Sequence, residues 1–227
     1  MDRFLSAFFD AEVMILHAPA LARGFGITVA LAAAIVATGV LLGVLLAAIR
    51  AHRFALVNPV IIVIVDMLRA IPPLATLVVV YFGLPFLGVT LPGWAATWLT
   101  LGLILAAFEE EVVYGGIAAV PRGQWDAAQA LGFGFTRTLA VVVLPQALRM
   151  TLAPLTNRAI GISKSTALGS VIAVPELLNE ATSAQAASAN TTPLTVAAIG
   201  YLLMFVPLVL ASRWLEHRYP SQRASGA

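Results

Sequence analysis

The sequence predicts an all-α membrane protein of five transmembrane helices, with its N-terminus outside and its C-terminus in the cytoplasm. Three observations carry that expectation. Of 227 residues, 60% are hydrophobic and only 11% are charged, with a mean hydropathy of +0.95. A soluble domain usually has about 25% charged residues to cover its surface, so a bilayer is the better solvent for this chain. Five segments approach the roughly 20 apolar residues that span a bilayer. Among the loops between the segments, Lys and Arg occur only in alternate ones, which sets the orientation.

The first 24 residues form an extracytoplasmic amphipathic segment. Asp2, Asp10 and Glu12 interrupt its apolar run, which argues against a signal peptide, and Phe4, Leu5, Phe8 and Phe9 recur at helical spacing. The transmembrane domain covers 25–213. Its first span is 25–49, where Gly39, Gly43 and Ala47 form a small-residue row suited to close helix packing. The second lies within 58–84 and is broken by Asp66, Arg69 and the pair Pro72-Pro73, which must kink or end the helix. The third, 94–120, contains Glu109, Glu110 and Glu111. The fourth, 150–174, contains Arg158 and Lys164, and the fifth is 193–212. A cytoplasmic tail, 214–227, closes the chain.

Arg50 and Arg53 follow the first span, Arg122, Arg137 and Arg149 lie between the third and fourth, and Arg213, Arg218 and Arg223 follow the fifth. These stretches belong in the cytoplasm. Loop 85–93 has no charge and loop 175–193 has no Lys or Arg, so both belong outside.

Several chemistries are excluded. There is no Cys, hence no disulfide, thiol nucleophile or Cys-ligated zinc. His17, His52 and His217 lack metal-site spacing. A net charge of +2 does not suggest nucleic acid. The stretch "GISKSTALGS" lacks the Gly before Lys164 that a phosphate-binding loop requires, so nothing here hydrolyses ATP. The sequon at Asn190 is a short pattern of little weight.

Ionisable residues inside a span are costly, about 2.5–3.5 kcal/mol each on insertion scales, and usually face a pathway or a partner. Consecutive helical residues are turned by roughly 100°, so Glu109, Glu110 and Glu111 cannot share one face. Arg69, Arg158 and Lys164 are their candidate partners, as an ion-pair network or as a polar pathway. Asp66 and Arg69 are spaced to pair on one helix face. In the largest cytoplasmic loop, a short helix over 123–132 begins at Gly123, holds Asp126 in its first turn, where the dipole favours an anion, and closes at Gly132 in a left-handed cap. Such a helix suits docking to a soluble partner better than lying on lipid, because only Trp125 and Leu131 are large and apolar.

At these residues the chain resembles the permease subunits of ABC importers. "DAAQALGFGFTRTLAVVVLP" is similar to their Glu-Ala-Ala signature, with Asp126, Ala127, Ala128, Gly132, Val142, Leu144 and Pro145 at the family's spacing. "MLRAIPPLATLVVVYFGLP", "AAFEEEVVYGGIAAVPRGQWDAA" and "LPQALRMTLAPLTN…SKSTALGSVIAVPELL" resemble the polar amino acid permeases, the histidine, glutamine, glutamate, arginine and opine type, over about 58–178. Glu111 and Lys164 match family positions, Phe108 replaces a Tyr, Tyr114 replaces an Arg, and Glu109 and Glu110 are additions.

The resemblance implies a type I ABC importer permease fold in a bacterial inner membrane. It implies ATPase coupling through Gln124, Trp125, Asp126, Ala127, Ala128 and Gly132. A substrate pathway would include Arg69, Glu109, Glu110, Glu111, Tyr114 and Lys164. It implies an ABC ATPase dimer that binds ATP and Mg, a second permease chain, an extracytoplasmic solute-binding protein, membrane lipid, and no cofactor or enzymatic activity in this chain. The solute would be a polar amino acid or a related compound, opine or ectoine-like. The rivals are a secondary transporter or channel using Glu109–Glu111 as a proton or cation site, and a non-transporting scaffold.

Overall fold

A computed structural model describes residues 2–218. Arg223 and the rest of the tail from 219 lie outside them. All regular structure among the described residues is helical. The elements are α1 (Asp2–Phe8), α2 (Ala11–Ala51), α3 (Val57–Ala70), α4 (Pro73–Gly83) with a 3-10 turn Leu84–Leu87, and α5 (Gly93–Ala119). Then come α6 (Arg122–Ala130), α7 (Phe135–Thr138), a π turn Leu139–Val143, and α8 (Leu144–Lys164) with a 3-10 stretch Ser165–Ile172. Helices α9 (Leu177–Ser188) and α10 (Thr192–Arg218) complete the chain.

Three stretches are long and apolar enough to cross a membrane: Arg3–Ala51, Phe135–Ile172 and Thr192–Arg218. A fourth is the pair Val57–Ala70 and Pro73–Leu87, bent by 105°. The bend falls at the predicted Pro72-Pro73. Ile71, preceding a proline, is extended at φ −89° and ψ 132° because a following Pro ring crowds the helical conformation. Helix α5, with 27 residues, is long enough, but its three glutamates reduce its apolarity.

Helix α2 runs without interruption through residue 25, where the first span was expected to start. It runs 41 residues, about 60 Å at 1.5 Å per residue, well beyond a hydrocarbon core. Asp10 starts it, its Oδ1 accepting from the backbone N–H of Glu12 at 3.0 Å and Val13 at 3.2 Å. The π turn before α8 also has a local cause. Pro145 has no N–H to donate to the Val141 carbonyl, and its ring crowds that oxygen. The preceding turn widens, and Leu144 N–H reaches the Leu139 carbonyl, one residue further back than in an α-helix.

The chain forms two compact units, each with its own packing. One comprises the described residues through Ile35, Pro73–Leu101 and Ile162–Leu208. Leu21, Leu177, Ala181 and Ala197 form a buried cluster there. Glu176 is its polar anchor. This side chain is fully buried, caps α9 by accepting from Asn179 N–H at 2.8 Å, and accepts from the Tyr201 hydroxyl at 2.8 Å. Thr28 supports it by accepting from Leu177 N–H at 3.0 Å. Glu176 lies in the loop between spans, and burial pushes its carboxyl above the ordinary range against the pull of these hydrogen bonds. A carboxyl whose folded-state pKa is raised stabilises the fold fully below its unfolded value of 4.5. That contribution is lost as pH rises through the folded-state value. The apparent Tm of the detergent-solubilised protein should therefore fall more steeply in wild type than in Glu176→Gln as pH is raised above 4.5. Parallel pH profiles would refute this.

The other unit comprises Val36–Pro72, Gly102–Gly161 and the described residues from Val209. Its core includes Ala47, Val113, Ile117, Leu139, Val143 and Ala147. The predicted small-residue row packs α2 on α5. A Cβ on Gly39 would lie 2.6 Å from Leu105, and one on Gly43 would lie 2.5 Å from Glu109 Cβ and 2.9 Å from the Ala106 carbonyl. Ala47 is fully buried below them. Gly43→Val should cost about 1–3 kcal/mol by overpacking, read as a lowered Tm, whereas Gly26→Val on the same helix meets nothing within 4 Å and should shift Tm little.

Candidate functional site

The second unit carries both groups of residues that the sequence singled out. The first is a polar belt around the middle of α5. Arg50 at the end of α2 binds Glu110 through Nη1, at 3.0 Å to Oε1 and 3.1 Å to Oε2. Glu110 is fully buried, and the Arg50 side chain is 19% exposed. The Arg50 guanidinium also lies 4.0 Å over the Tyr114 ring, one turn along α5. On another face of α5, Glu111 forms an ion pair with Arg69, and Arg69 reaches Asp66 at 3.6 Å. Those two carboxylates are half or more exposed. Glu109 is fully buried, and neither of its carboxylate oxygens has a hydrogen-bond partner. Its charged neighbour is Arg158.

The three glutamates thus diverge, as helical geometry required. Of the partners the sequence suggested, Arg69 pairs with Glu111 and Arg158 lies near Glu109. Lys164 does not join them. It belongs to the first unit, where its ammonium lies 5.8 Å from the Phe205 ring. Arg50 was the partner sequence reasoning missed, because it was counted only as an orientation marker. Its guanidinium is carried 60 residues from Glu110 along the chain, and no local spacing announces the pair.

The second group is α6 and its turn. The chain leaves α5 at Pro121, which precedes the first helical residue with extended ψ of 137°. The helix therefore begins at Arg122. Asp126 does not sit in the first turn, correcting that expectation, and the dipole gives it no support. The end is as predicted. Gly132 has φ +84°, its N–H donates to Gln129 O at 2.9 Å, and Phe133 N–H donates to Ala128 O at 3.1 Å. This is the two-bond cap that a left-handed glycine permits.

Arg122, Trp125, Asp126 and Gln129 fall on one face of α6 and line a cavity of about 480 Å³ with Ala51, His52, Arg53, Tyr114 and Phe135. Trp125 stacks on Phe135 with centroids 5.3 Å apart. His52 donates from Nδ1 to the Ala48 carbonyl at 2.9 Å, so its Nε2 accepts from the Thr136 hydroxyl at 3.2 Å. Gln146 Nε2 donates to Gln124 Oε1 at 3.2 Å, which ties the first turn of α6 to α8. Ala127 is exposed, but Ala128 is only 4% exposed. The methyl group of Ala128 packs inward, so this residue acts on any partner only through the position of the helix.

Helices apolar enough to cross a membrane, ion pairs between helices and a capped short helix between α5 and α8 fit a membrane transport component. Residues 39–220 match the family of binding-protein-dependent transport system inner membrane components, and the chain belongs to that family. It is similar to "Arginine ABC transporter permease protein ArtQ" of Haemophilus influenzae, with 32% identity over 95% of both chains. It is also similar to "Probable glutamine ABC transporter permease protein GlnP" of Bacillus subtilis, with 31% identity over 89% of this chain and 94% of the relative. Among solved structures, an amino acid ABC transporter crystallised with histidines aligns with a TM-score of 0.82 at 28% identity, over 92% of this chain and 98% of that one. The MetNI methionine transporter aligns at 0.69 and 21% identity, a likeness of fold. The chain is a permease subunit of an ABC importer and not an enzyme. This sets aside the ion-driven secondary transporter and the passive scaffold.

Proposed function

We propose that this subunit carries a polar amino acid, or a related opine- or ectoine-like solute, across a bacterial inner membrane by alternating access. The observation that supports it most is the α6 hairpin, a rigidly capped helix with Gly123, Gln124, Ala127 and Leu131 exposed. In this reading α6 seats in an ATPase that binds ATP and Mg. The subunit pairs with a second permease chain, identical or paralogous, above an ATPase dimer, and a solute-binding protein delivers cargo from outside. Relatives named for glutamine and arginine indicate the class of solute.

The membrane reading adds α5 as a fifth span. Its 27 residues cover about 40 Å, and its glutamates are either buried or ion-paired. Five spans put the two ends on opposite sides, and the arginine-bearing loops argue for an N-terminus outside. Single Cys at Gly88 or Ser188 should then react with an impermeant thiol reagent outside intact cells, and Cys at Gln129 should not. Arg69 and Glu111, with their partly exposed side chains, line the route. Glu110, Tyr114 and Glu109 support it from behind.

The deciding experiment is reconstitution in proteoliposomes with its ATPase and binding protein. ATP-dependent accumulation of L-glutamine or L-arginine that requires this chain is expected. Accumulation independent of the ATPase would refute the proposal.

A further inference from the structure

Arg158 stands apart from the other charged residues of the polar belt. It lies inside the Phe135–Ile172 stretch that is apolar enough to cross a membrane, and it is exposed. Its guanidinium carbon lies over the Phe108 ring, 4.9 Å from the centroid, and that of Arg69 lies 5.6 Å from the same centroid. Arg69 is committed to Glu111 and Asp66. Arg158 makes no hydrogen bond or ion pair with any described residue. Glu109 is its ionisable neighbour, yet neither Glu109 oxygen accepts a hydrogen bond. Glu109 therefore does not take up the guanidinium donors.

A guanidinium has five N–H donors in a planar fork that matches a carboxylate. Facing lipid, it would be costly, so an exposed arginine in a span points to water or to a ligand. Stacking on an aromatic ring fixes the plane of the fork while leaving its edge open.

We infer that Arg158, held over Phe108, receives the carboxylate of the transported solute inside the permease. The inference rests on the importer reading above and adds a specificity residue to it. Arg158 selects for solutes bearing a carboxylate and places that group beside α5 and α8, whose residues meet at Phe108.

The test uses the full importer in proteoliposomes with saturating binding protein and whichever of L-glutamine, L-arginine and L-cystine the wild type imports. If wild type imports none of these, the amino acid assignment fails, and the outcome says so independently of Arg158. Otherwise, Arg158→Gln should lower import more than tenfold while loaded binding protein still stimulates ATP hydrolysis. Arg158→Lys, which keeps the charge but loses the fork, should fall between Gln and wild type. A second measurement uses Arg158→Cys, the only thiol in the chain. Modification with an ethylammonium methanethiosulfonate should restore part of the import, and the neutral methyl reagent should not. Import by Arg158→Gln within twofold of wild type would overturn the inference. So would equal effects of the two thiol reagents, or failure of both the Gln and Cys variants to assemble, which would make Arg158 a structural residue.

Discussion

Exchange of Gly132 for Val is expected to leave the permease in the membrane at wild-type levels and to cut the ATP hydrolysis stimulated by loaded binding protein at least tenfold. The cause is backbone conformation alone. Gly132 has φ +84°, and a Cβ there would meet nothing within 4 Å. No clash with a neighbour contributes. A left-handed β-branched residue costs roughly 1–2 kcal/mol or more, and the chain can relieve that only by undoing the two hydrogen bonds that close α6 on Gln129 and Ala128. The helix would fray at the end that leads back toward α8. Asn tolerates positive φ better than other side chains, so activity should follow Gly132, then Asn, then Ala, then Val. Steric origin would instead rank the variants by size and place Asn below Ala.

The same helix separates docking from folding. Ala127 is exposed and Ala128 is 4% exposed. Ala127→Glu should give a protein that assembles poorly with ATPase but is present in the membrane. Ala128→Glu should reduce the amount of protein itself, because it forces a carboxylate into the packing around α6. Equal abundance of the two variants would show that the inward face of α6 is not the structural one.

Much of this arrangement was legible from residue types whose effect is local. Pro72-Pro73 dictated the break between α3 and α4. Gly132 marked the end of α6, and the spacing of Gly39, Gly43 and Ala47 marked the α2–α5 contact. Each is a steric rule that acts within a few residues or along one helix face. The start of α6 was misplaced by one residue because Gly123 looked like an opener, while Pro121 in fact sets the entry. That single residue moved Asp126 out of the dipole's reach. The extent of α2 was hidden because polar residues over 10–24 resemble a break, although a helix tolerates them wherever it leaves the bilayer. Long-range pairing was the least legible. Any of several arginines could have met the three glutamates, and only tertiary packing chooses Arg50 for Glu110, Arg69 for Glu111 and neither for Glu109.

That choice gives the largest stability effect expected in the chain. Arg50 holds both oxygens of a fully buried Glu110 and stacks over Tyr114. Removing Arg50 alone, as Arg50→Met, keeps most of the apolar stem but leaves a carboxylate with no partner in a low-dielectric core. Breaking such a pair costs about 3–5 kcal/mol, enough to lower the apparent Tm by many degrees and to reduce the protein recovered from membranes. Removing both charges, as Arg50→Met with Glu110→Leu, should recover most of the loss, since a packed apolar pair replaces a desolvated ionic one at little net cost. The double-mutant cycle should therefore show a coupling of several kcal/mol, far above the few tenths expected of independent sites. The outcome for transport separates two roles. If the pair is structural support for the route, import per assembled complex in the double variant should stay within a few-fold of wild type. If Glu110 meets the solute directly, import should remain lost even where stability has returned. Additive effects of the two single substitutions on Tm would contradict the pairing itself.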